Sequence, residues 1–267
     1  MIIQHPVSDY QGMPPENVFF AYNDQKIQLG TGYVVQFTQG ELYPDQPLHI
    51  FTQIESQPSA RCLLFGALIA RAGVIRTMAR QPARLYTQID GKNIEALRFF
   101  EQMGFKNDDS EDLYGFQLPY GRAAAPVGFE YWQSPLASAD DELALLARIN
   151  RYRIQPVSRD YLTLWRQQEH FLALAYYRQG QIVCECVFTG VGQSATLLSI
   201  YTVPELRRQH LASLLLDAAS YHLREQGVTT AYTHIFRRNT PQNALIRHLN
   251  GRFLRQVNYL PGINMIR

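Results

Sequence analysis

Short runs of apolar, β-branched and aromatic residues recur along the first half of the chain, separated by turn-forming residues. They predict strands at residues 18–22, 32–37, 48–55, 85–89 and 113–118. Two longer stretches have helical spacing instead. One covers residues 62–78, and the other opens at Asn93 and places Ala96, Leu97, Phe100 and Met103 on one side.

The second half also alternates strands with helices. Its predicted strands are residues 127–132, 171–177, 181–189, 196–202 and 232–236, and its predicted helices are residues 140–151, 158–169 and 207–225, with another from Asn239 or Thr240. Gln179-Gly180 between two strands suits a tight hairpin turn. The order strand, long helix, strand over residues 196–236 predicts a parallel βαβ unit with a right-handed crossover.

The composition excludes several classes of protein. At 267 residues, with 46% hydrophobic and 18% charged residues, the chain has room for two ordinary domains with substantial cores. A net charge of +2 is too small for a nucleic-acid binder that relies on a broad basic face. The N-terminus lacks the pattern of a secretory signal, and no run approaches the ~18 apolar residues of a membrane span. We therefore expect a cytoplasmic protein with no nucleic-acid or membrane partner.

The three cysteines, Cys62, Cys184 and Cys186, are too few for a disulfide framework. Cys184 and Cys186 would share one face of a strand, but no further ligands stand nearby at the spacing of a metal site. We expect no metal, and we interpret these cysteines as small apolar residues in a reducing compartment.

An internal repeat is the most informative long-range pattern. Between residues 54–93 and 200–239, at an offset of 146 (200 − 54), nine residues of the first segment recur unchanged: Ile54, Pro58, Arg61, Leu68, Ala72, Tyr86, Thr87, Ile89 and Asn93. Apolar periodicity alone does not place proline, arginine and asparagine at matching points. The repeat predicts a duplication. Residues 119–126 lack periodicity and suit a linker, so we expect domains at residues 1–122 and 123–267.

The motif that carries chemistry joins a predicted buried strand to the long helix at residues 202–213, which we call the phosphate cradle. The first backbone N–H groups of a helix have no internal acceptor and lie at the positive end of its dipole. A diphosphate can lie against them, with added charge from two arginines. The candidate binding residues are Thr202, Val203, Arg207, Arg208, Gln209, His210, Leu211, Ala212 and Ser213.

This segment resembles the acyl-CoA-binding signature of the GNAT acetyltransferase superfamily: arginine or glutamine, two residues, glycine, one residue, then glycine or alanine. Arg207, His210 and Ala212 occupy these positions, and Pro204 before them is also typical. His210 departs from the signature, in which glycine lets the backbone approach the phosphates closely. Asn239, after the next strand, matches the family's asparagine, which contacts the cofactor.

The resemblance reaches beyond the cradle. The order of elements over residues 127–267 looks like a whole GNAT domain, and residues 93–105 (NIEALRFFEQMGF) are similar to the family's helix signature. Together with the repeat, this implies a mixed-sheet α/β fold of two GNAT-like domains in tandem. In the first half, residues 61–66 put apolar side chains where the cradle has polar ones, and two early helices are missing. The resemblance thus implies a degenerate N-terminal domain and an acyl-CoA site in the C-terminal one.

The family's mechanism supplies the catalytic candidates. GNAT enzymes bind acyl-CoA between two splayed parallel strands, and a neutral amine attacks the thioester directly. Backbone N–H groups around residues 201–203 would hold the acyl carbonyl. The family's usual acid, a tyrosine seven residues after the asparagine, is replaced by Ile246 here, and His248 takes its place only if the helix is aligned on Ala244. Candidate bases on the central strands are Tyr201, Glu185 and His234, since histidine accepts protons near neutral pH.

The leading interpretation is an acetyl-CoA-dependent N-acetyltransferase acting on a primary amine of a small molecule or peptide. One alternative is a catalytically inactive acyl-CoA-binding or sensing protein, in which His210 and the missing tyrosine mark a lost activity. Another is a tandem-GNAT aminoacyl transferase, against which the weak net charge counts. The sequence leaves the acceptor and the oligomeric state open, with a homodimer as one expectation.

Overall fold

The computed structural model describes residues 1–41, 43–122, 124–134, 136–151 and 157–265. The chain folds into two compact units. The first comprises Met1–Glu111 with Gln256–Arg267, and the second comprises Asp112–Arg255.

Strands and helices alternate along the described residues. The strands are β1 (Ile2–Gln4), β2 (Val18–Tyr22), β3 (Gln28–Thr38), β4 (Leu48–Ser56), β5 (Ala83–Tyr86), β6 (Ile89–Asp90), β7 (Ser110–Gln117), β8 (Glu130–Gln133), β9 (His170–Arg178), β10 (Gln181–Val191), β11 (Ser194–Thr202), β12 (Thr230–Phe236), β13 (Arg252–Tyr259) and β14 (Gly262–Met265). The α-helices are α1 (Pro58–Ala79), α2 (Ile94–Gln102), α3 (Ala139–Asn150), α4 (Arg159–Arg166), α5 (Leu211–Glu225) and α6 (Thr240–His248). Short 3₁₀ turns cover Pro15–Asn17 and Pro204–Leu206.

The first unit is built on a sheet in the order β1-β2-β3-β4-β5-β14. Neighbouring strands pair antiparallel, except that β4 and β5 are parallel. Helix α1 connects these two parallel strands, and its buried side chains pack into the core of the unit; they are Ala60, Leu64, Leu68, Ala72 and Ile75. Helix α2 adds Leu97 and Phe100 to the same core.

Helix α1 is long and apolar enough to cross a membrane by length and composition, although the sequence pattern predicts no membrane span. A core helix of a globular unit passes the same test. The side chains on one face of α1 are fully buried in the core of the first unit, and Arg61, Arg71 and Arg76 interrupt its apolar character. Packing against the sheet accounts for the apolar side chains on that face, whereas Leu63, Val74 and Met78 are exposed.

The second unit is built on a sheet in the order β13-β7-β12-β11-β10-β9-β8. Strands β8 to β11 pair antiparallel, and β11 pairs parallel with β12. Helices α5 and α6 pack on one face in the main core, which includes Cys184, Cys186 and Leu215. Helices α3 and α4 pack on the other face, where Leu145 and Val187 belong to a separate cluster. The parallel βαβ unit predicted from the pattern is β11–α5–β12.

Each unit contains one strand from the other half of the sequence. Strand β7, which precedes the linker, lies between β12 and β13 in the sheet of the second unit. Strand β14, at the end of the chain, pairs with β5 of the first unit, from Gly262 opposite Tyr86 to Met265 opposite Ala83. Because of this exchange, the compact units do not separate at a single point. The division into functional domains at residues 1–122 and 123–267 stays a prediction.

Several predicted bounds were wrong for local reasons. The long helix begins at Leu211, not at residue 207, because Arg208 and His210 both take a positive φ, of 64° and 60°, which a helix does not allow. The strand predicted from residue 127 begins at Glu130, after a turn in which Gly128 has a φ of 85°. The predicted hairpin is confirmed at Gln179 and Gly180, which have φ values of 54° and 75°.

Candidate active site

The parallel strands β11 and β12 pair over only part of their length. Their register runs from Ser194 opposite Thr230 to Leu197 opposite Thr233 and then stops. Strand β11 nevertheless continues to Thr202, and β12 continues to Phe236. The register of β10 against β11 shifts at the same place, where Leu198 is the extra residue of a bulge. The two strands therefore separate and leave a gap in the middle of the sheet.

The gap is a narrow cleft whose walls come from three elements. On β11 it is lined by residues 198–200, and on β12 by His234 and Ile235. Helix α6 covers the cleft with Leu245 and Leu249. Such a slot, with backbone edges on two sides and apolar side chains above it, suits an extended chain with alternating polar and apolar groups.

Residues 207–210 connect the 3₁₀ turn Pro204–Leu206 to α5 in an irregular loop. Arg207 is extended, with φ −64° and ψ 156°, and its Nε donates to the backbone oxygen of Thr202 at 3.1 Å. One donor of the guanidinium thus fixes the turn at the end of β11. The side chains of Arg208, Gln209 and His210 are exposed.

The N-terminus of α5 is not capped by a side chain, and its N-cap residue, His210, is left-handed. Helices α2, α3, α4 and α6 are capped, by Asn93, Ser138, Ser158 and Asn239, whereas α1, which begins with Pro58, has no side-chain cap. The N–H groups of residues 211–213 have no acceptor within α5, since the first turn of a helix offers none. They lie at the positive end of the helix dipole, beside the exposed loop. This arrangement fits the diphosphate of a nucleotide cofactor.

The backbone at the end of β11 also presents a donor. The N–H of Val203 donates to the oxygen of Val183 at 2.9 Å. Because N–H groups alternate along a strand, the N–H of Thr202 points away from β10, toward the side on which β12 has separated. Of residues 201–203, which the family resemblance implied as the oxyanion site, Thr202 is the one whose N–H has this orientation.

Two of the predicted catalytic residues are cross-strand neighbours. Glu185 on β10 lies opposite Tyr201 on β11. Glu185 is only 4% exposed, and both of its carboxylate oxygens accept from Arg148 on α3, at 2.8 Å from Nε and 2.9 Å from Nη2. Arg151, one turn further along, donates to the Tyr201 hydroxyl at 3.3 Å. Glu185 and Tyr201 are thus held beneath α3 by two arginines.

The two predicted histidines lie in different places. His234 lines the cleft and is exposed, whereas its neighbours Thr233 and Ile235 are buried, so it projects from the face of β12 opposite to α5. That is the face on which Glu185 and Tyr201 lie. His248 is an exposed residue at the end of α6, where its charge opposes the increase in the pKa of Asp217 that burial causes.

Asn239 has a clear local role. It is 5% exposed, and its Oδ1 accepts the N–H of Gln242 at 3.1 Å, so it caps α6. Its predicted contact with a cofactor stays a prediction.

The paired cysteines are part of the core. Cys184 and Cys186 share the face that packs against α5, as predicted, and burial raises the pKa of the Cys184 thiol to about 12. Burial also raises the pKa of Cys186 well above its ordinary value. Both are therefore protonated at neutral pH, which is unsuited to metal binding. Among the residues that the structure describes, no group of three histidine, cysteine or acidic side chains is placed to hold a metal ion.

Sequence reasoning missed Arg148 and Arg151. They are three residues apart on a predicted helix, and a buried glutamate on a central strand requires a positive partner. The buried position of Glu185 therefore indicated that an arginine or lysine lies nearby. The sequence did not show which helix supplies that residue, because this depends on how α3 packs against the sheet.

A gap between parallel strands, followed by a loop and an open helix N-terminus, is the arrangement that the family resemblance implies for an acyl-CoA site. The comparisons with known proteins bear on the family and the fold. Residues 140–251 match the model of the Acetyltransferase (GNAT) family. The match covers 112 of the 267 residues (251 − 140 + 1) and lies within the second unit.

Solved structures extend the fold to almost the whole chain. The structure of Eis1 from Mycobacterium abscessus has 11% identity and a TM-score of 0.54, with 97% of this chain and 73% of that one covered. A GCN5-related N-acetyltransferase from Anabaena variabilis has 11% identity and a TM-score of 0.54, with coverages of 92% and 62%. One from Sphaerobacter thermophilus has 15% identity and a TM-score of 0.49, with coverages of 95% and 82%. No curated protein matches the chain in sequence. The fold is that of two GNAT-like α/β units in tandem.

Proposed function

We propose that this protein is an N-acetyltransferase that transfers the acetyl group of acetyl-CoA to a primary amine of a small molecule or peptide, at a single active site in the second unit. The observation that carries the proposal is the uncapped N-terminus of α5, placed directly after the strand that separates from its parallel neighbour. The two features together match the two parts of coenzyme A, a diphosphate and an extended thiol arm.

The donor would be held mainly by backbone groups. The N–H groups of residues 211–213 would bind the diphosphate, with Arg208 adding charge from the loop. The thiol arm would enter the cleft between β11 and β12 beneath Leu245 and Leu249. The N–H of Thr202 would then donate to the thioester carbonyl and stabilise the negative charge that develops on it.

The acceptor would approach from the face that carries Glu185, Tyr201 and His234. A neutral amine attacks the carbonyl carbon, loses a proton and releases the thiolate of coenzyme A, which takes up a proton. His234 is our candidate for the base because it lines the cleft, whereas both carboxylate oxygens of Glu185 are engaged by Arg148. Tyr201, next to the end of β11, is our candidate for the acid.

The first unit would not bind the coenzyme. Residues 61–66, which correspond to the cradle, lie inside α1, where each backbone N–H is used in the helix. Strand β5 ends at Tyr86, the last residue that pairs with β4, so it has no extension to form a cleft. The N–H of Thr87 donates to Pro261 instead.

Calorimetry with acetyl-CoA, followed by thiol release with a panel of primary amines, tests the proposal. We expect saturable binding at one site and amine-dependent thiol release. His234→Gln and Tyr201→Phe should keep the affinity and lower kcat, by about a hundredfold for the base. Absence of binding would exclude the transferase. Binding without turnover on any amine would indicate a sensing protein.

A further inference from the structure

A second pocket lies in the second unit, beside α6. It is lined by Tyr114 on β7, by Arg237 after β12, by Thr240, Asn243, Ile246 and Arg247 on α6, and by Gly251. The cleft is bordered by Gln242, Leu245, Ile246 and Leu249 of the same helix.

Apart from Ile246, the two sites use different residues of α6. Thr240, Asn243 and Arg247 form one stripe at intervals of three and four residues, and Gln242, Leu245 and Leu249 form another stripe displaced by two residues. A displacement of two residues is about 200° around a helix, and Ile246, between the stripes, borders both sites.

The pocket carries an excess of positive charge. Arg237 and Arg247 both line it, and the acidic group that the structure pairs with Arg237 is Asp112, with Oδ2 3.9 Å from Nη2. Arg247 uses Nε to donate to the backbone oxygen of Asn243 at 3.1 Å, so its terminal nitrogens are not required for that bond. Nδ2 of Asn243 donates to three backbone oxygens, which leaves the arginines and the hydroxyls of Thr240 and Tyr114 as side-chain donors for a ligand.

Asp112 lies behind the lining of this basic pocket, as the ion-pair partner of Arg237. It is 6% exposed, and its Oδ1 is a buried oxygen for which the described residues supply no hydrogen-bond donor. It lies two residues before Tyr114 and therefore on the same face of β7. A buried carboxylate oxygen without a donor is costly, and a ligand with an acidic O–H would satisfy it.

We propose that this pocket binds a phosphate group. A hydrogen phosphate has oxygens that accept from Arg237, Arg247 and Thr240, and it keeps one P–O–H that donates to Asp112. Sulfate has the same shape and accepts equally well, but it carries no proton at neutral pH. The arrangement thus favours phosphate over sulfate. This inference concerns α6 and β7 alone and does not depend on acetyl transfer.

Calorimetry with inorganic phosphate and with sulfate, at constant ionic strength and pH 7 and without coenzyme, tests the site. We expect phosphate to bind at least about tenfold more tightly than sulfate, as one additional charge-assisted hydrogen bond predicts. Arg237→Gln/Arg247→Gln should weaken phosphate binding by at least about tenfold. Asp112→Asn should remove most of the preference for phosphate, and circular dichroism should show each variant folded.

Two control variants locate the binding. Arg98→Gln, an exposed arginine of α2, should leave phosphate affinity unchanged. Arg208→Gln should also leave it unchanged, which separates this pocket from the cradle. A folded Arg237→Gln/Arg247→Gln variant that binds phosphate as well as the parent would overturn the proposal, as would equal affinities for phosphate and sulfate.

Discussion

The segments β4–α1–β5 and β11–α5–β12 come from matching positions of the repeat, and their helices end alike but begin differently. Ala79 and Glu225, the last residues of α1 and α5, correspond at the offset of 146 residues. Helix α1 begins at Pro58, which corresponds to Pro204. Helix α5 begins only at Leu211, seven residues later in the repeat (211 − 204).

In our proposal, those seven residues make the difference between a unit with a coenzyme site and one without. In the first unit they form the start of α1, so from Arg61 onward the N–H groups bond to carbonyl oxygens four residues earlier. Phe65 also packs against Phe99 and Phe100 of α2, with ring centroids 5.9 and 6.0 Å away, and Phe100 corresponds to Ile246 of the cleft. In the second unit the same stretch forms a turn and a loop, and the first N–H groups of α5 stay open. The proposed ligand site of the second unit thus depends on the later start of its helix.

The strongest test of this comparison replaces the residues just before α5 with the corresponding residues at the start of α1. Arg208→Cys/Gln209→Leu/His210→Leu gives residues 207–210 the sequence of residues 61–64. We expect α5 to extend toward Pro204 and the affinity for acetyl-CoA to fall by at least about a hundredfold, because the amides of the cradle become helical. Calorimetry measures the affinity, and circular dichroism the added helix.

The matched control is Cys62→Arg/Leu63→Gln, at two exposed positions of α1, which should change neither property. If the triple variant bound acetyl-CoA as well as the parent protein, the cradle would lie elsewhere.

The second test reverses one charge in each unit. Arg207→Glu places a carboxylate beside the proposed diphosphate and removes the bond to Thr202, so acetyl-CoA affinity should fall by about tenfold or more. Arg61→Glu breaks a bridge of 3.3 Å with the exposed Glu95 and should leave affinity unchanged. Calorimetry of both variants measures the difference, and similar losses would contradict an assignment to the second unit alone.

The third test removes the two equivalent caps. Asn93 caps α2 and Asn239 caps α6, each through its Oδ1. Replacing either with alanine should lower the free energy of unfolding by about 1 kcal/mol. Urea unfolding measures this cost. If Asn239 contacts the coenzyme, Asn239→Ala should also weaken acetyl-CoA binding, whereas Asn93→Ala should not. Unchanged affinity in Asn239→Ala would show that Asn239 only caps α6.

The smallest expected effect concerns backbone strain. His210 at the start of α5 has a φ of 60°, and Arg80 at the end of α1 has a φ of 54°. Glycine adopts this conformation without a β-carbon clash but loses more entropy on folding, so His210→Gly and Arg80→Gly should each stabilise the protein by about 0.5 kcal/mol. Thermal unfolding measures the gain. Because the N–H groups remain in place, His210→Gly should retain acetyl-CoA binding, and its loss would show that the imidazole itself contacts the ligand.

The sequence predicted the α/β class and the parallel βαβ unit, because apolar spacing follows directly from which side of a helix or strand is buried. It also predicted that Cys184 and Cys186 share a buried face. The start of α5 was wrong because the motif was interpreted as the first turn of a helix, whereas Arg208 and His210 have positive φ values that these residues only rarely adopt. Had His210 been glycine, the loop would have been easier to predict.

The residues around Glu185 were predictable only in part. Its position on a central strand beside Tyr201 followed from the pattern, but its ion pair with Arg148 depends on how α3 crosses the sheet. The pocket of Arg237 and Arg247 was not predicted at all. Its floor includes Tyr114, which lies more than a hundred residues earlier in the chain and reaches α6 only because β7 joins the sheet of the second unit.

The sequence alone determined the order of strands and helices and the resemblance of residues 202–213 to acetyltransferases, since these depend on residues close together in the chain. Tertiary structure decided where β11 parts from β12 and which strand completes each sheet. Every strand offers the same backbone N–H and C=O groups, so the local sequence does not specify which distant strand it pairs with. The packing of side chains in the complete unit selects the partner.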